Sequence, residues 1–372
     1  MPATAPTLLS CSQGDFELSR HPRRRRETLQ AWCAADLLLL EAVDKARGNT
    51  LVVNDDHGAL SIPLSAQALW TDSALSAQAV ADNARRNGCD PPVVFWSTQE
   101  PQGDWPQVVM RIPKQLAYFE FQLSRLARLL PQDAKLYCAG MDKHLPRQTG
   151  QLLERYFRVV ERHPGQRKAR LFTACQPVRD APAADVDSHY FCAPVGHQML
   201  SQANVFSRDG LDIGTRFLLD NLHRVAPVDQ AADLACGNGV LGIAAMQQGI
   251  AGAVTFADES AMAIASARHN VQAILGNETS ATFHHGDGLL ECEQQFELIL
   301  CNPPFHLGHT VDEFAGRRLI RQCAVALRPG GQLLLVANRH LNYAGELKRR
   351  FSRIEQTGQN RKFRLWQATR SC

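Results

Sequence analysis

A strand-like run of apolar residues leads directly into a loop whose groups are suited to hold an amino group. The segment FELILCNPPFH, residues 296–306, changes from strand to turn at Asn302, and Pro303 and Pro304 follow. Paired prolines remove two backbone donors and stiffen the turn, which leaves the preceding carbonyl groups free to point into a cleft. The side-chain oxygen of Asn302 and the carbonyl of Pro303 would each accept one N–H of an exocyclic amino group. The ring of Phe305 would stack on the base that carries it.

Such a loop is suited to methyl transfer onto a nitrogen whose lone pair is delocalised into an aromatic ring. Two acceptors would turn that lone pair toward a sulfonium methyl group, and positioning with electrostatics would supply most of the rate enhancement. Other interpretations stay open. Asn-Pro-Pro is also compatible with a turn that only ends a strand. Cys301 is compatible with a nucleophile as in cytosine C5 methylation, although it follows the apolar pattern of the strand, and His306 with a general base or an RNA contact.

A second loop, DLACGNG at residues 233–239, follows another predicted strand, at the edge where open α/β sheets bind ligands. Its glycines would let the backbone approach a ligand closely and turn into a helix. Asp258, at the end of the next strand, is placed to accept hydrogen bonds from ribose hydroxyls. The Gly-x-Gly-x-x-Gly spacing of dinucleotide loops is absent, because Gly239 is followed by Gly242 in another phase.

An acid leads this second loop, which favours an S-adenosyl cofactor over a dinucleotide. Asp233 would hold the ammonium group of S-adenosylmethionine, directly or through water, and its ordinary alternative is a turn or cap aspartate. Asp287, in Gly-Asp-Gly after the third strand, would accept from the adenine amino group, or would only form a turn. The predicted cofactor-binding residues are Asp233, Ala235, Gly237, Asn238, Gly239, Asp258 and Asp287.

The elements that must position both loops alternate between strands and helices. This alternation predicts a doubly wound, mostly parallel α/β sheet in the C-terminal half. The predicted strands are 230–236, 253–257, 282–285, 297–301 and 332–337, and the predicted helices are 240–248, 261–274 and 313–327.

The N-terminal half repeats the same blocks in the same order without the chemistry. LVVNDDHGAL (51–60) aligns with ADLACGNGVL (232–241), VVMRIPK (108–114) with LILCNPP (298–304), and LYCAGMDKHL (136–145) with the block that ends LLLVANRHL at 341. Val52 then stands where Asp233 stands, and Asp56 where Gly237 stands. Three blocks in order indicate a duplicated domain whose N-terminal copy is degenerate.

Composition predicts a folded protein of about two domains. The chain has 372 residues, 45% hydrophobic and 21% charged. No apolar run approaches the roughly 20 residues of a membrane span, and the beginning of the chain lacks a secretory pattern. We therefore expect a cytoplasmic protein with no membrane partner. Eleven cysteines without any Cys-x-x-Cys pair predict neither a disulfide framework nor a metal site.

Basic residues are clustered although the formal net charge is only +3. Nine Lys or Arg stand against two acids in 339–370, and thirteen against five in 111–170, and Arg23 to Arg26 form a further run. One such run is compatible with a solvated face or a disordered arm. Three clusters on one chain favour an anionic partner.

The acid-led glycine loop with Asn-Pro-Pro-Phe resembles the Rossmann-like amino methyltransferases. The duplicated layout resembles the bacterial ribosomal RNA guanine-N2 methyltransferases. Within that family LQAW (29–32), AAD (34–36), NVFSRDGLDIG (204–214) and ANRHL (337–341) are similar to the large-subunit (23S) enzymes. The small-subunit (16S) enzymes share residues 206–212 and the Asn-Pro-Pro-Phe loop at residues 302–305, here called the reaction loop. Ala235 departs from the family, which usually carries glycine there, and we expect its methyl group to be tolerated if φ is negative.

The resemblance implies two tandem Rossmann-like methyltransferase domains. The degenerate copy would be 1–176, which would be structural or would help to hold RNA, followed by a linker at 177–195 and the catalytic domain at 196–372. The implied cofactor is S-adenosylmethionine. The implied partner is 23S ribosomal RNA, naked or in an assembly intermediate, methylated on N2 of a guanine.

The same resemblance implies that Asn302, Pro303, Pro304 and Phe305 are the catalytic residues. A 16S guanine-N2 enzyme is the alternative within the family. An adenine-N6 or protein-glutamine methyltransferase would typically carry tyrosine in place of Phe305. A catalytically silent RNA-binding protein is the alternative from another class, and the intact Asp233, Asp258 and Asn302 argue against it.

Overall fold

The computed structural model describes residues 5–24, 26–44, 48–304, 306–307, 310–311 and 313–371. It divides the chain between Val186 and Asp187 into two compact units, here the N-terminal and the C-terminal unit. The division lies inside the segment 177–195 that the sequence predicts as a linker.

The N-terminal unit is built on a seven-stranded sheet with helices packed on both faces. Leu51 and Val53 belong to one apolar cluster and Val52 to the other, because successive residues of a strand point to opposite faces. The elements are β1 (Leu8–Cys11), β2 (Gly14–Glu17), α1 (Ala34–Ala42), β3 (Thr50–Val53), β4 (Ala68–Thr71), α2 (Ala74–Arg86), β5 (Val93–Trp96), β6 (Gln107–Arg111), α3 (Leu116–Leu129), β7 (Lys135–Met141), a 3₁₀ turn (Asp142–His144), α4 (Thr149–Tyr156), β8 (Phe157–Arg162) and β9 (Ala169–Pro177).

The C-terminal unit has the same architecture, and in each unit an antiparallel strand pair, β1–β2 or β10–β11, precedes the large sheet. Leu298 and Leu300 face one apolar cluster and Ile299 and Cys301 the other. The elements are β10 (Ser188–Cys192), β11 (His197–Ser201), α5 (Ile213–Leu219), a 3₁₀ turn (Leu222–Arg224), β12 (Val228–Leu234), α6 (Val240–Gln247), β13 (Ala251–Asp258), α7 (Ala261–Leu275), β14 (Ala281–His285), β15 (Phe296–Cys301), β16 (His306–Leu307), β17 (Thr310–Val311), α8 (Glu313–Ala326), β18 (Leu327–Asn338), α9 (Ala344–Arg350), β19 (Arg353–Gln359) and β20 (Phe363–Thr369).

The two large sheets have the same strand order. One runs β5-β4-β3-β6-β7-β9-β8 and the other β14-β13-β12-β15-β18-β20-β19. In each, the first five strands are parallel to one another and the last two pairings are antiparallel, so that only the sixth strand in this order, β9 or β20, runs in the opposite direction. The predicted α/β fold with two tandem domains is therefore confirmed.

Backbone conformation supports the alignment of the two copies residue by residue. Asn54 and Ala235, which the sequence blocks align, have φ of 61° and 58°, and the aligned Gly58 and Gly239 have φ of 86° and 85°. The N-terminal copy has thus kept the turn that follows the first central strand.

The strand predicted at 332–337 is longer than expected, because β18 begins at Leu327, directly after α8. Its first residue pairs with Phe296, and the register then shifts before Leu298 pairs with Gln332. Gly330 has φ of 78°, a conformation that glycine adopts readily and that accompanies this shift in register. The Pro-Gly-Gly pattern alone would indicate that the strand is interrupted here.

Candidate active site

The two predicted loops begin side by side at the carboxyl edge of the C-terminal sheet. Leu234, the last residue of β12, pairs with Cys301, the last residue of β15, so that Ala235 and Asn302 each begin the loop that follows. β13 ends nearby at Asp258. Because parallel strands end at one edge, the sheet brings the reaction loop together with the glycine loop at residues 233–239, here called the cofactor loop.

Asp233 is fully buried, and only one of its two carboxylate oxygens has a described partner. Oδ2 accepts a hydrogen bond of 2.8 Å from the backbone N–H of Gly242. Oδ1 is buried and has no hydrogen-bond partner among the described residues. Burial raises the pKa of Asp233 to about 8, and the nearby Asp258 carboxylate adds to the rise. A buried acceptor without a donor is costly, so this oxygen fits a bound ammonium group.

The backbone between β12 and α6 is shaped for a close approach at its exposed side. Gly237 has φ of 55°, and a Cβ added there would meet nothing within 4 Å. Gly239 has φ of 85°, and a Cβ there would lie 3.0 Å from the Cβ of Ala267 on α7. Gly239 therefore packs α6 against α7, while Gly237 faces the open space that a cofactor requires.

Ala235 does not have the negative φ under which its methyl group is expected to be tolerated. Its φ is 58°, in the left-handed region that disfavours every residue with a Cβ. The condition of a negative φ is therefore not met, and the loop turns here through a conformation that glycine adopts more readily.

The side chain of Asn238 anchors the loop to the rest of the unit. Its Nδ2 donates to the hydroxyl of Tyr190 and to that of Ser201, each at 3.1 Å. Its backbone carbonyl accepts from Asn270 Nδ2 at 2.9 Å. These bonds tie the loop to β10, β11 and α7, and β10 comes from the segment predicted as a linker.

Asp258 connects the loop to the start of α7. Its Oδ2 accepts from Gly237 N–H at 2.9 Å, and its Oδ1 accepts from Ser260 N–H at 3.0 Å. These bonds hold the carboxylate at the end of β13, the position expected to meet ribose.

Asp287 has protein partners that the sequence did not indicate. Arg318 of α8 forms an ion pair with its Oδ1, and Gln322 Nε2 donates to the same oxygen at 3.3 Å. α8 thus fixes this carboxylate at the edge of the site.

The amide of Asn302 is held in one orientation. Its Nδ2 donates to Asp212 Oδ2 at 3.0 Å and to Thr215 Oγ1 at 2.8 Å. Its Oδ1 is buried and has no hydrogen-bond partner among the described residues. Asn302 therefore retains an unused acceptor, as the predicted role in holding an amino group requires. Pro303 is buried and Pro304 exposed.

Phe305 lies outside the described residues, as does the side chain of His306. Cys301 is 1% exposed, and burial raises the pKa of its thiol well above the ordinary value. A thiol in this state is a poor nucleophile, which agrees with its place in the apolar pattern of β15.

Asp212, Thr215 and Arg318 contact predicted site residues, yet sequence reasoning gave them no role. A signal was available for the first pair: Asp212 accepts from Thr215 N–H at 2.9 Å, as an aspartate at the N-cap of a helix does. The pattern predicts the cap, but not the contact with Asn302.

Comparison with known proteins agrees with this geometry. Residues 6–179 match the model of the RLMG N-terminal domain, and residues 196–367 match the methyltransferase small domain. Ribosomal RNA large subunit methyltransferase G of Alcanivorax borkumensis is 43% identical, covering 95% of this chain and 94% of that protein. The chain belongs to the ribosomal RNA large subunit methyltransferase G family. The protein of the same name from Pseudomonas aeruginosa PAO1 is 41% identical, covering 97% of this chain and 99% of that one.

A solved structure shares the architecture over both units. The T. thermophilus 16S rRNA N2 G1207 methyltransferase, in complex with AdoMet and guanosine, has a TM-score of 0.79 and covers 98% of this chain and 97% of its own. Its identity is 20%, so it supports the fold. Family membership confirms the predicted methyltransferase activity and S-adenosylmethionine cofactor.

Within the described ranges, no helix is long and apolar enough to cross a membrane. In the same part of the chain, no group of three or more His, Cys, Asp or Glu is arranged to hold a metal ion.

Proposed function

We propose that the protein transfers a methyl group from S-adenosylmethionine to the exocyclic N2 amino group of a guanine in 23S ribosomal RNA. The proposal rests on family membership and, within the structure, on the unused Oδ1 of Asn302 at the end of β15. The bound cofactor supplies an activated methyl group on a sulfonium.

In this proposal Asn302 Oδ1 accepts one N–H of the target amino group, and the Pro303 carbonyl accepts the other. These two acceptors would hold the lone pair of the nitrogen out of the base plane, and positioning and electrostatics would lower the barrier. The extra proton on the methylated nitrogen would leave to water, so no base from the chain is required. Asp233 Oδ1 would accept from the ammonium group of the cofactor, and Asp258 and the backbone at Gly237 would line the ribose side.

The relatives favour the large-subunit RNA over the 16S alternative. The proteins that are 39–43% identical over nearly the whole chain are named large-subunit methyltransferases, whereas the 16S enzyme is 20% identical. The target in 23S RNA and the cytoplasmic location stay predictions. Comparison of methylated guanines in ribosomal RNA from cells with and without the protein would test the target.

We also propose that the N-terminal unit holds RNA. A cleft of about 620 Å³ lies between α4 and the β8–β9 hairpin. Its lining includes Arg147 and Arg162, which have no ion-pair partner among the described residues, and Arg170, which pairs with Asp142 at 3.2 Å. Cationic side chains that are not neutralised by the protein are available to phosphates. Glu154 also lines the cleft.

Replacing both Arg147 and Arg162 by alanine should weaken RNA binding and leave the affinity for S-adenosylhomocysteine unchanged. Each lost phosphate contact should flatten the plot of log affinity against log salt by about 0.7 to 0.9. An unchanged salt slope would remove the cleft from the RNA interface.

The central test of the reaction is Asn302→Ala. Loss of one preorganised hydrogen-bonding group lowers turnover by about 10² to 10³, or roughly 3 to 4 kcal/mol. The affinity for S-adenosylhomocysteine should change little, because the variant leaves β15 and the cofactor loop intact, while the thermal transition should fall, because the bonds of Nδ2 to Asp212 and Thr215 are lost. The assay is methyl incorporation into 23S RNA from cells that lack the protein.

Cys301→Ser is the matched control, because it changes the neighbouring residue and removes the thiol that a covalent mechanism would use. It should stay active. An active Asn302→Ala beside an inactive, well-folded Cys301→Ser would move the target from an amino nitrogen to a ring carbon.

A further inference from the structure

An amide side chain serves as an acceptor only if its oxygen faces the substrate. The two ends of an asparagine amide have nearly the same shape but opposite hydrogen-bonding character. If the amide of Asn302 were reversed, its N–H groups would face the N–H groups of the target amine. The direction of this amide therefore decides whether the residue holds the substrate or repels it.

Asp212 dictates that direction. A carboxylate only accepts hydrogen bonds, and its Oδ2 lies 3.0 Å from Asn302 Nδ2. The reversed amide would place two oxygens against each other. Thr215 Oγ1, 2.8 Å from the same nitrogen, does not decide the direction, because a hydroxyl donates as readily as it accepts.

Asp212 is itself fixed at the start of α5. Its Oδ2 accepts from Thr215 N–H at 2.9 Å, so the backbone of the helix orients the carboxylate. Gly214 allows this close arrangement, because a Cβ there would lie 3.0 Å from Asp212 Oδ2 and 3.4 Å from Asn302 Oδ1. The acceptor of the reaction loop is thus oriented by a segment far away in the sequence.

We propose that Asp212 is a positioning residue that sets the direction of the Asn302 amide and thereby makes the site specific for an amino group as substrate. This inference rests on the proposed function. Asp212 acts through Asn302 and takes no part in bond making.

The test is Asp212→Ser, because a serine hydroxyl still caps α5 by accepting from Thr215 N–H. The hydroxyl also donates, so it no longer excludes the reversed orientation of Asn302. Turnover should fall about tenfold or more, with the loss bounded by the 10² to 10³ of a missing hydrogen-bonding group. The KM for RNA, the affinity for S-adenosylhomocysteine and the thermal transition should stay close to those of the unchanged protein.

The conservative variant Asp212→Asn separates positioning from a merely structural role. Asp212 Oδ2 accepts from both Thr215 N–H and Asn302 Nδ2, so the new amide keeps its oxygen at that place and still fixes the direction of Asn302. Turnover should stay well above that of Asp212→Ser. Asp209→Asn is the matched control, because Asp209 is an exposed acid of the same loop whose bonds go to Ser188 and Arg208, and it should leave turnover unchanged.

The outcomes distinguish this inference from the function on which it rests. An active Asn302→Ala would refute the proposed function. An inactive Asn302→Ala beside a fully active Asp212→Ser would refute only the positioning role, as would a folded Asp212→Asn no more active than Asp212→Ser. If Asp212→Ser did not fold, Asp212→Thr would replace it, because threonine also caps helices and its hydroxyl likewise imposes no direction. Full turnover in the threonine variant would overturn the proposal.

Discussion

Ala235→Gly should stabilise the C-terminal unit although it removes a methyl group. An alanine with φ of 58° is in the left-handed region, which costs a residue with a Cβ roughly 1–2 kcal/mol. Glycine avoids that cost, but it frees the unfolded chain and gives back about 0.4–1 kcal/mol. The expected net gain is up to about 1.5 kcal/mol. For a unit of this size, 1 kcal/mol corresponds to a rise of about 2–4 °C in the transition temperature.

The assay is thermal unfolding followed with and without S-adenosylhomocysteine. The transition that moves with the ligand belongs to the cofactor-binding unit, because a ligand stabilises the folded state that binds it. Ala235→Gly should raise that transition and leave the affinity for the ligand at least as high.

Asn54→Gly is the matched comparison in the N-terminal copy, and its effect should have the opposite sign. Asn54 has φ of 61°, but asparagine tolerates this conformation better than alanine does. Its Nδ2 donates to Arg111 O at 3.0 Å and to Gln122 Oε1 at 2.9 Å. Removal would leave the buried Gln122 amide unpaired, at a cost of about 1–3 kcal/mol. A lowered transition in Ala235→Gly, or shifts of the same sign in both variants, would refute the reasoning.

Three further predictions concern the same sites. Burial raises the pKa of Asp233 to about 8, so without cofactor the folding stability should decline as pH rises from about 4 to 8, because the unfolded chain loses this proton first. Asp233→Asn should flatten that decline in thermal unfolding at a series of pH values. An identical decline in the variant would contradict this prediction. Calorimetric titration should give one S-adenosylhomocysteine site per chain, because buried Val52 stands at the position of Asp233, and a stoichiometry of two would show that the N-terminal copy also binds. Gly214→Ala should slow turnover, since the added methyl group would lie 3.0 Å from Asp212 Oδ2, which accepts from Asn302, and an unchanged rate would show that the loop moves freely.

The sequence predicted the sheet and the place of both loops, but not the contacts that orient the side chains. Strands and loop residues can be recognised from patterns among residues close together in the chain. Parallel pairing of β12 with β15 then brings Ala235 and Asn302 together. The bond between Asp212 and Asn302 joins segments far apart in the sequence, and so does the ion pair of Asp287 with Arg318. Neither follows from local pattern, because each depends on how a helix packs against the sheet.

The N-terminal copy shows what a shared backbone leaves undecided. At the position of Cys236 it carries Asp55, whose Oδ1 accepts from the N–H groups of Gly58 and Ala59 at 2.8 and 3.0 Å. Its Oδ2 accepts from Leu60 and Ser61 at 3.0 and 2.8 Å. The backbone N–H groups of residues 58–61 therefore donate to Asp55 and are not available to a ligand.

The loop after β6, which aligns with the reaction loop of the C-terminal copy, has likewise lost its acceptor. Ile112 stands at the position of Asn302 and supplies no acceptor, and the preceding Arg111 forms an ion pair of 2.5 Å with buried Asp36. The turn at Asn54 and Gly58 kept its conformation because the fold needs it. At the positions of Asp233 and Asn302 the N-terminal copy carries Val52 and Ile112, which have no polar side-chain atom, whereas Asp233 Oδ1 and Asn302 Oδ1 of the C-terminal copy have no hydrogen-bond partner among the described residues. We infer that these two acceptors, rather than any difference in topology, suit only the C-terminal copy to the reaction.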